Sequence, residues 1–398
     1  TSHTADHDVN SGPPQQLQHH MGMPGFPPGF NPAMLAAYPQ MMQAGYFNPA
    51  AYAYQPGLTI GLGGALVMGT MSHFDPETRE QTDTLPEAGL PPYAHVAYTY
   101  GPFAASLSFQ VPFGSGLGWP EDWDGRFEIT EIGLQALELS PSFAYRPIPQ
   151  IAIAAGPRIL NATVEFKRKI NTVNPPREGS VHLGTAGWGM GWQAAILAEP
   201  IEDWTVGLAY RSQVHFDFKG AAHFEDIPIE MSHRAHDTKA TTTLVLPERL
   251  AFGSAYRFGF GLLLSADLEY MGWRTFEEFA INFESEDVPD VAEPRRWHDT
   301  LTFRIGAEYE GPAPGLTVRT GFAIDQSPSP RDTLSPSLPD GNRTIATLGA
   351  GYDFGFGLRL DASYGRVFFA PTASEGEAFP GDYRASVNLL SAGVSGRF

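Results

Sequence analysis

Leu301-Thr302-Phe303-Arg304-Ile305-Gly306-Ala307-Glu308-Tyr309 is the stretch whose reading decides the fold, because its odd positions are apolar and its even ones polar, charged or glycine. A repeat of two is the mark of a β-strand with two unlike faces. The same alternation runs through Leu358-Arg359-Leu360-Asp361-Ala362-Ser363-Tyr364. It returns where Leu250, Phe252, Tyr256 and Phe258 alternate with Arg249, Gly253 and Arg257, and where Leu316, Val318, Phe322 and Ile324 alternate with Thr317, Arg319, Gly321 and Asp325. Segments of this kind begin near residues 57, 93, 103, 126, 149, 180, 202, 241, 261, 298, 315, 341, 356 and 383.

The joins between them carry as much information as the segments. Short turns rich in Gly and Pro link alternate pairs: Gly101-Pro102, Pro147-Ile148-Pro149, Pro200-Ile201, Gly259-Phe260-Gly261, residues 311–315 and Gly355. Between them lie longer, mostly acidic connections at 73–91, 112–125, 168–179, 222–240, 284–297, 327–341 and 370–382. Regular short–long alternation is what an up-and-down barrel with two unlike rims produces. Tyr145, Trp204, Phe258, Tyr309, Tyr352 and Phe354 gather beside the short turns, as a girdle at a membrane interface does. A membrane-crossing strand needs only about 9–11 tilted residues. The expectation is an all-β protein: a transmembrane up-and-down antiparallel β-barrel of about fourteen strands in residues 57–398, preceded by an N-terminal plug or extension in residues 1–56. It belongs in a bacterial outer membrane, with periplasmic termini and the long acidic loops extracellular.

Composition excludes several alternatives. The 398 residues hold 25 Lys+Arg against 44 Asp+Glu, a net charge of −19, which argues against a nucleic-acid partner, since phosphates demand a basic face. Cys is absent, which removes disulfides, thiol catalysis and Cys-ligated zinc. No run approaches the roughly 18 uninterrupted apolar residues of a membrane helix.

Both chain ends stand apart. Between Asp8 and Asp75 there is no Asp, Glu, Lys or Arg, and Pro, Gly, Met, Gln and Tyr dominate. Phe30-Asn31-Pro32-Ala33-Met34 is echoed by Phe47-Asn48-Pro49-Ala50-Ala51, and the second half of the segment is apolar enough to be expected against an apolar surface. Residues 1–46 also offer a contact for a protein partner. At the other end, Leu390, Ala392, Val394 and Phe398 share one face of the last strand. A terminal aromatic of this kind looks like the signal read by the machinery that inserts outer-membrane barrels.

The ordered series of short motifs resembles the FadL-like family of outer-membrane transporters for long-chain fatty acids and other hydrophobic compounds. It comprises Asn48-Pro49-Ala50, Val111-Pro112-Phe113-Gly114-Ser115, Gly187-Trp188-Gly189-Met190-Gly191-Trp192, Leu208-Ala209-Tyr210-Arg211-Ser212, Asp299-Thr300, Pro339-Asp340-Gly341-Asn342-Arg343 and Leu348-Gly349-Ala350-Gly351-Tyr352. The resemblance implies a hatch in the lumen ended by Asn48, Pro49 and Ala50. It also implies a kinked third strand shaped by Phe113, Gly114 and Ser115, through which an apolar ligand leaves sideways into the membrane. No cofactor is implied. The Gly/Ala-rich stretch that opens the family's hatch is replaced here by Gly22-Met23-Pro24-Gly25-Phe26-Pro27-Pro28-Gly29-Phe30. That departure keeps a second reading in view, a non-transporting barrel that anchors a surface secretion or motility assembly through its N-terminal segment.

Other constellations read as structural. His3, His7, His19 and His20 lack a ligand scaffold, and His233 and His236 near Asp237 fall in a long loop. Glu284, Glu286, Asp287, Asp290 and Glu293 read as a solvated face, able to bridge through divalent ions to lipopolysaccharide. Arg249, Arg257, Asp267, Glu269, Arg304, Glu308, Arg319, Asp325, Arg359 and Asp361 would face the lumen and pair with one another. A barrel hydrolase would need a Ser/His/Asx arrangement that neither His182 nor His298 supplies.

Overall fold

The computed structural model describes residues 48–173, 176–311, 313–376 and 379–398; the histidines and the partner contact expected within residues 1–46 lie outside them. Among the described residues the chain forms a closed antiparallel barrel of 14 staves, three of them built from two strands each, with four short strands at their ends. The staves, numbered in chain order, begin with Gly57–Phe74, Pro92–Tyr100, Phe103–Gly118, Glu131–Ile148, Ile151–Val173 and Pro176–Ile201. The seventh is Trp204–Arg211 continued by Val214–Glu225, the eighth Thr238–Leu246 continued by Arg249–Arg257, and the ninth Leu262–Met271 continued by Glu278–Phe283. Thr300–Glu310, Leu316–Asp325, Arg343–Asp353, Leu358–Phe369 and Gly381–Arg397 complete the circuit.

The last stave pairs with the first from Thr59 opposite Arg397 to Phe74 opposite Asp382. Leu58 and Phe398 lock the closure by exchanging backbone hydrogen bonds of 2.7 and 2.8 Å. Closure matters because a sheet edge in lipid would leave N–H and C=O groups unsatisfied, at several kcal/mol each.

The alternation has the sense expected of a membrane barrel. On the tenth stave Leu301, Phe303 and Ile305 are 44–46 % exposed, whereas Arg304 and Glu308 are only 7 % and 4 % exposed. Apolar side chains face out and ionic ones in, the reverse of a protein folded around a dry core. Tyr145, Trp204, Tyr309, Tyr352 and Phe354 point outward beside the short turns.

Two expected connections are corrected. Residues 112–118 are not a loop but continue the third stave, and the fifth and sixth staves run through most of 168–179 as a projecting hairpin. Alternation fades in both places because the environment of the strand changes. The end of the third stave is buried on both faces, and the hairpin is tied by polar contacts instead: Glu121 to Lys169 at 2.8 Å and Arg126 to Glu178 at 2.8 Å.

Candidate functional site: the lumen and its wall

The interior is stratified. At the short-turn end Pro49–Tyr54 forms a single 3-10 turn inside the barrel. Pro49 suits a helix start, whose N–H has no intrahelical partner, and the Asn48 side chain accepts from Ala50 N at 3.1 Å. Asn48 Nδ2 donates to Ile196 O at 2.9 Å, and Thr99 Oγ1 donates to Tyr52 O at 2.8 Å. The turn fits because the facing walls are lined by Ala97, Ala104, Ala144, Ala152, Ala154 and Ala195. Arg146 lies 5.1 Å from the Tyr54 ring. On the other side of the turn a cavity of about 270 Å³ remains, bounded by Asn48, Tyr54, Gly207, Gly253 and Ser265.

Above this plug runs a belt of buried ion pairs. Glu138 receives Arg158 at 2.7 Å and is also bonded by Arg211 and Ser140. Arg304 reaches Asp267 at 2.8 Å and Glu269 at 3.0 Å, and Glu269 also holds Arg249. Arg319 joins Glu308 at 2.7 Å and Asp361 at 2.6 Å, while Arg343 holds Asp325 at 2.7 Å. The lumen-facing charges thus bond between staves, most to the next one, Arg319 to Asp361 across one stave and Arg211 to Glu138 across the lumen; Arg257, at the short-turn rim, pairs with Glu310 at 3.0 Å.

Above the belt the lumen turns apolar. Phe113, Leu117, Leu160, Val164, Phe166, Phe216, Phe218 and Trp273 belong to one buried cluster. Phe113 stands edge-on to Trp273 at 6.3 Å, and Trp273 and Phe276 each pack on Trp297 at 4.9 Å. The long connections fold over this chamber: Trp119 Nε1 donates to Pro336 O at 3.1 Å, and Arg295 donates to Ser335 and Ser337 at 2.7 Å each.

The third stave breaks beside the chamber. Its register with the fourth shifts between Gln110 and Phe113, so Val111 and Pro112 together oppose Leu137. Such a bulge bends a strand. Pairing with the second stave ends at Phe109 opposite Ala94. Counting on from there would bring Pro92 opposite Val111 and Pro91 opposite Pro112, and proline has no N–H to give to a ladder. From Gln110 to Gly118 every residue is buried, and the gap toward the first stave is spanned by the short strand Glu87–Gly89, with Leu85 N bonded to Gly118 O at 2.8 Å. Phe113, Gly114 and Ser115 begin immediately after the bulge. Phe113 points into the chamber cluster, and Ser115 is buried opposite Leu134.

The remaining candidates do not converge. Among the described residues no group of three His, Asp or Glu side chains is placed to hold a metal. Glu284 pairs with Lys239, Asp290 caps Phe283 N, Glu293 holds Arg295, and His236 meets Ser285. The seam described below between the sixth and seventh staves has no counterpart in the sequence reading, although its glycines were visible as a motif.

A closed barrel with lipid-facing Leu and Phe, aromatic rims and an ionic interior defines an integral outer-membrane β-barrel. The chain belongs to the outer membrane protein transport family (OMPP1/FadL/TodX), whose pattern matches residues 30–398. It is 25 % identical over 312 residues to outer membrane protein P1 of Haemophilus influenzae, covering 71 % of this chain and 67 % of that one. It is 29 % identical over 206 residues to a long-chain fatty acid transport protein of Escherichia coli, covering 49 % and 46 %. The matches therefore span from under half to two thirds of these relatives. In fold it is similar to a Pseudomonas aeruginosa FadL homologue, with a TM-score of 0.82, 19 % identity and 95 % and 100 % of the two chains covered.

Proposed function

We propose that this barrel is a passive channel for long-chain fatty acids or comparably hydrophobic compounds, which it takes from the long-loop side and releases sideways through the wall at the third stave. The long loops then lie outside the cell and both ends of the barrel in the periplasm. The observation that carries the reading is the ladder break at Val111-Pro112 beside a buried aromatic chamber. The energetics favour a sideways exit. An alkyl chain gains about 0.8 kcal/mol per CH₂ on leaving water for an apolar phase. Continuing down the axis would carry it past the ion-pair belt and the Asn48–Tyr54 plug, whereas at the third stave the break lies in the wall itself, covered by the short strand Glu87–Gly89. Diffusion down a gradient is sufficient, so neither catalysis nor a cofactor enters.

Deleting Pro112 tests this. It leaves Val111 alone opposite Leu137 and makes the register continuous from Gln110 to Phe113. Cells lacking their own fatty-acid channel and expressing the deletion should fail to take up radiolabelled oleate, while the barrel stays folded and inserted. Uptake at the unmodified rate would refute lateral release at this place.

A further inference from the structure

The wall is unzipped at a second place. The sixth and seventh staves pair from Ile201 opposite Trp204 to Gln193 opposite Arg211, and again from Ala186 opposite Lys219 to Ser180 opposite Glu225. Between those stretches, Gly187 to Trp192 keep every register partner on the fifth stave. At the lower end of this stretch Ser212 of the seventh stave ties to Trp192, its N–H donating to Trp192 O and its Oγ accepting from Trp192 N–H, each at 2.9 Å. Among the described residues Trp188 and Met190 have no ladder partner on that side.

The seam is closed by packing. The seventh stave passes on the lumen side of three glycines. A Cβ on Gly189 would lie 2.5 Å from Val214 Cγ1 and 2.9 Å from His215 O, and one on Gly191 would lie 2.7 Å from Ser212 Oγ. Val214, Phe216 and Phe218, which press on this strip, are the chamber's own lining. On the outer side Trp188 and Met190 stand 70 % and 71 % exposed. Indole and thioether outside, bare glycine backbone between and phenyl rings inside make an apolar path across the wall. Trp192 packs on Tyr210 at 4.9 Å, and Tyr210 Oη donates to Glu248 at 2.6 Å, so the path opens at the polar upper margin of the lipid-facing band. The axial route into the same chamber is crossed by the Trp119–Pro336 and Arg295–Ser335 ties.

We propose that this seam is a lateral entry port, through which an alkyl or aromatic molecule dissolved at the outer membrane interface slips past Trp188 and Met190 into the chamber. The port rests on the transport reading above and adds a place of entry to its place of exit. Opening moves the stretch Val214–Phe218 off the glycines together with Thr242–Leu246 of the eighth stave, to which it is laddered; against the glycines themselves it is packed by weak, non-directional contacts.

The absence of Cys makes a direct test clean. A Cβ on Gly189 would lie 2.5 Å from Val214 Cγ1, so Gly189→Cys with Val214→Cys brings two thiols together across the seam, where a disulfide, which wants Cβ atoms about 3.5–4.5 Å apart, can be sought. With the full chain in cells lacking their own channel, oxidation of the pair should bring radiolabelled oleate uptake to background and reduction should restore it, whereas each single cysteine should show the same uptake oxidised as reduced. Uptake unaffected by oxidation, in protein confirmed as cross-linked by mass, overturns the port. A second variant needs no cross-link: the double change Trp188→Asp with Met190→Asp alters only exposed side chains and should slow uptake by about tenfold or more, because a desolvated carboxylate costs at least the equivalent of one decade. Full-rate uptake in that variant also overturns the port. Failure of the unmodified chain to take up oleate refutes the transport reading itself, whichever way the seam variants behave.

Discussion

From Thr300 to the end of the last stave each strand keeps its register with the next without a shift, whereas the third, seventh, eighth and ninth staves are each interrupted. The two sectors differ in what fills the lumen beside them. Along the unbroken sector Arg304, Arg319 and Arg343 each bond a carboxylate on a neighbouring stave, so a slip of one residue would swing charged groups into lipid. Beside the broken sector the filling is phenyl, indole and aliphatic, which packs as well after a shift as before. The interruptions also begin at the ionic belt. Val111 follows Gln110, which bonds Glu138; Ser212 follows Arg211; and Glu248 precedes Arg249. Directional bonds pin the staves along that line, and beyond it on the long-loop side the strands bend; the shifts near the short turns, at Tyr145/Ile148 and Ala198/Ile201, lie at the strand ends.

Several substitutions break or sharpen this contrast. The largest effect is expected from Arg304→Leu, which strands Asp267 in the interior and leaves Glu269 to Arg249; removing one partner of a buried ion pair costs about 3–5 kcal/mol. Denaturant unfolding in detergent should show the loss, and a change below about 1 kcal/mol would mean that the belt does not pin the register. Next comes Phe303→Arg, one position away but facing lipid, at about 2–4 kcal/mol for a mid-bilayer site. If it were harmless, the outward face would not be in lipid at all. Asn48→Ala removes a cap worth about 1 kcal/mol and the tie to Ile196, so the plug should loosen with little change in barrel stability. Faster entry of a small sugar into proteoliposomes would report it. The smallest effect belongs to Glu121, whose carboxyl Lys169 and Lys167 hold below its ordinary value. That tie is therefore complete at neutral pH and is lost as pH falls through the lowered value. Glu121→Gln, which copies the protonated form, should leave thermal unfolding unchanged and only hasten tryptic cleavage after Lys167 and Lys169.

Much of this was legible in the sequence. Alternation at Leu301 to Tyr309, with arginine and glutamate on the inner set, announces both strand and solvent, because only lipid rewards that arrangement. Gly101-Pro102 and Gly259-Phe260-Gly261 mark turns by backbone chemistry alone. The fate of residues 112–118 was hidden because burial on both faces erases the alternation by which a strand is recognised. The seam was hidden for another reason. Gly187, Gly189 and Gly191 are visible as a pattern, but what lies behind them depends on the register of two strands, which local composition does not encode. The belt was half visible: its members could be listed, while the identity of each partner awaited the tilt that brings Arg304 beside Glu269.

The polarity of the staves has a consequence for the life of the chain before it reaches its destination. A ribbon whose neighbouring side chains want opposite surroundings cannot rehearse its final form in an aqueous compartment, where the greasy set would cluster first and bury the wrong half. Its sequence encodes the barrel only together with a lipid phase, which receives the greasy set from outside while the ionic set closes on itself within.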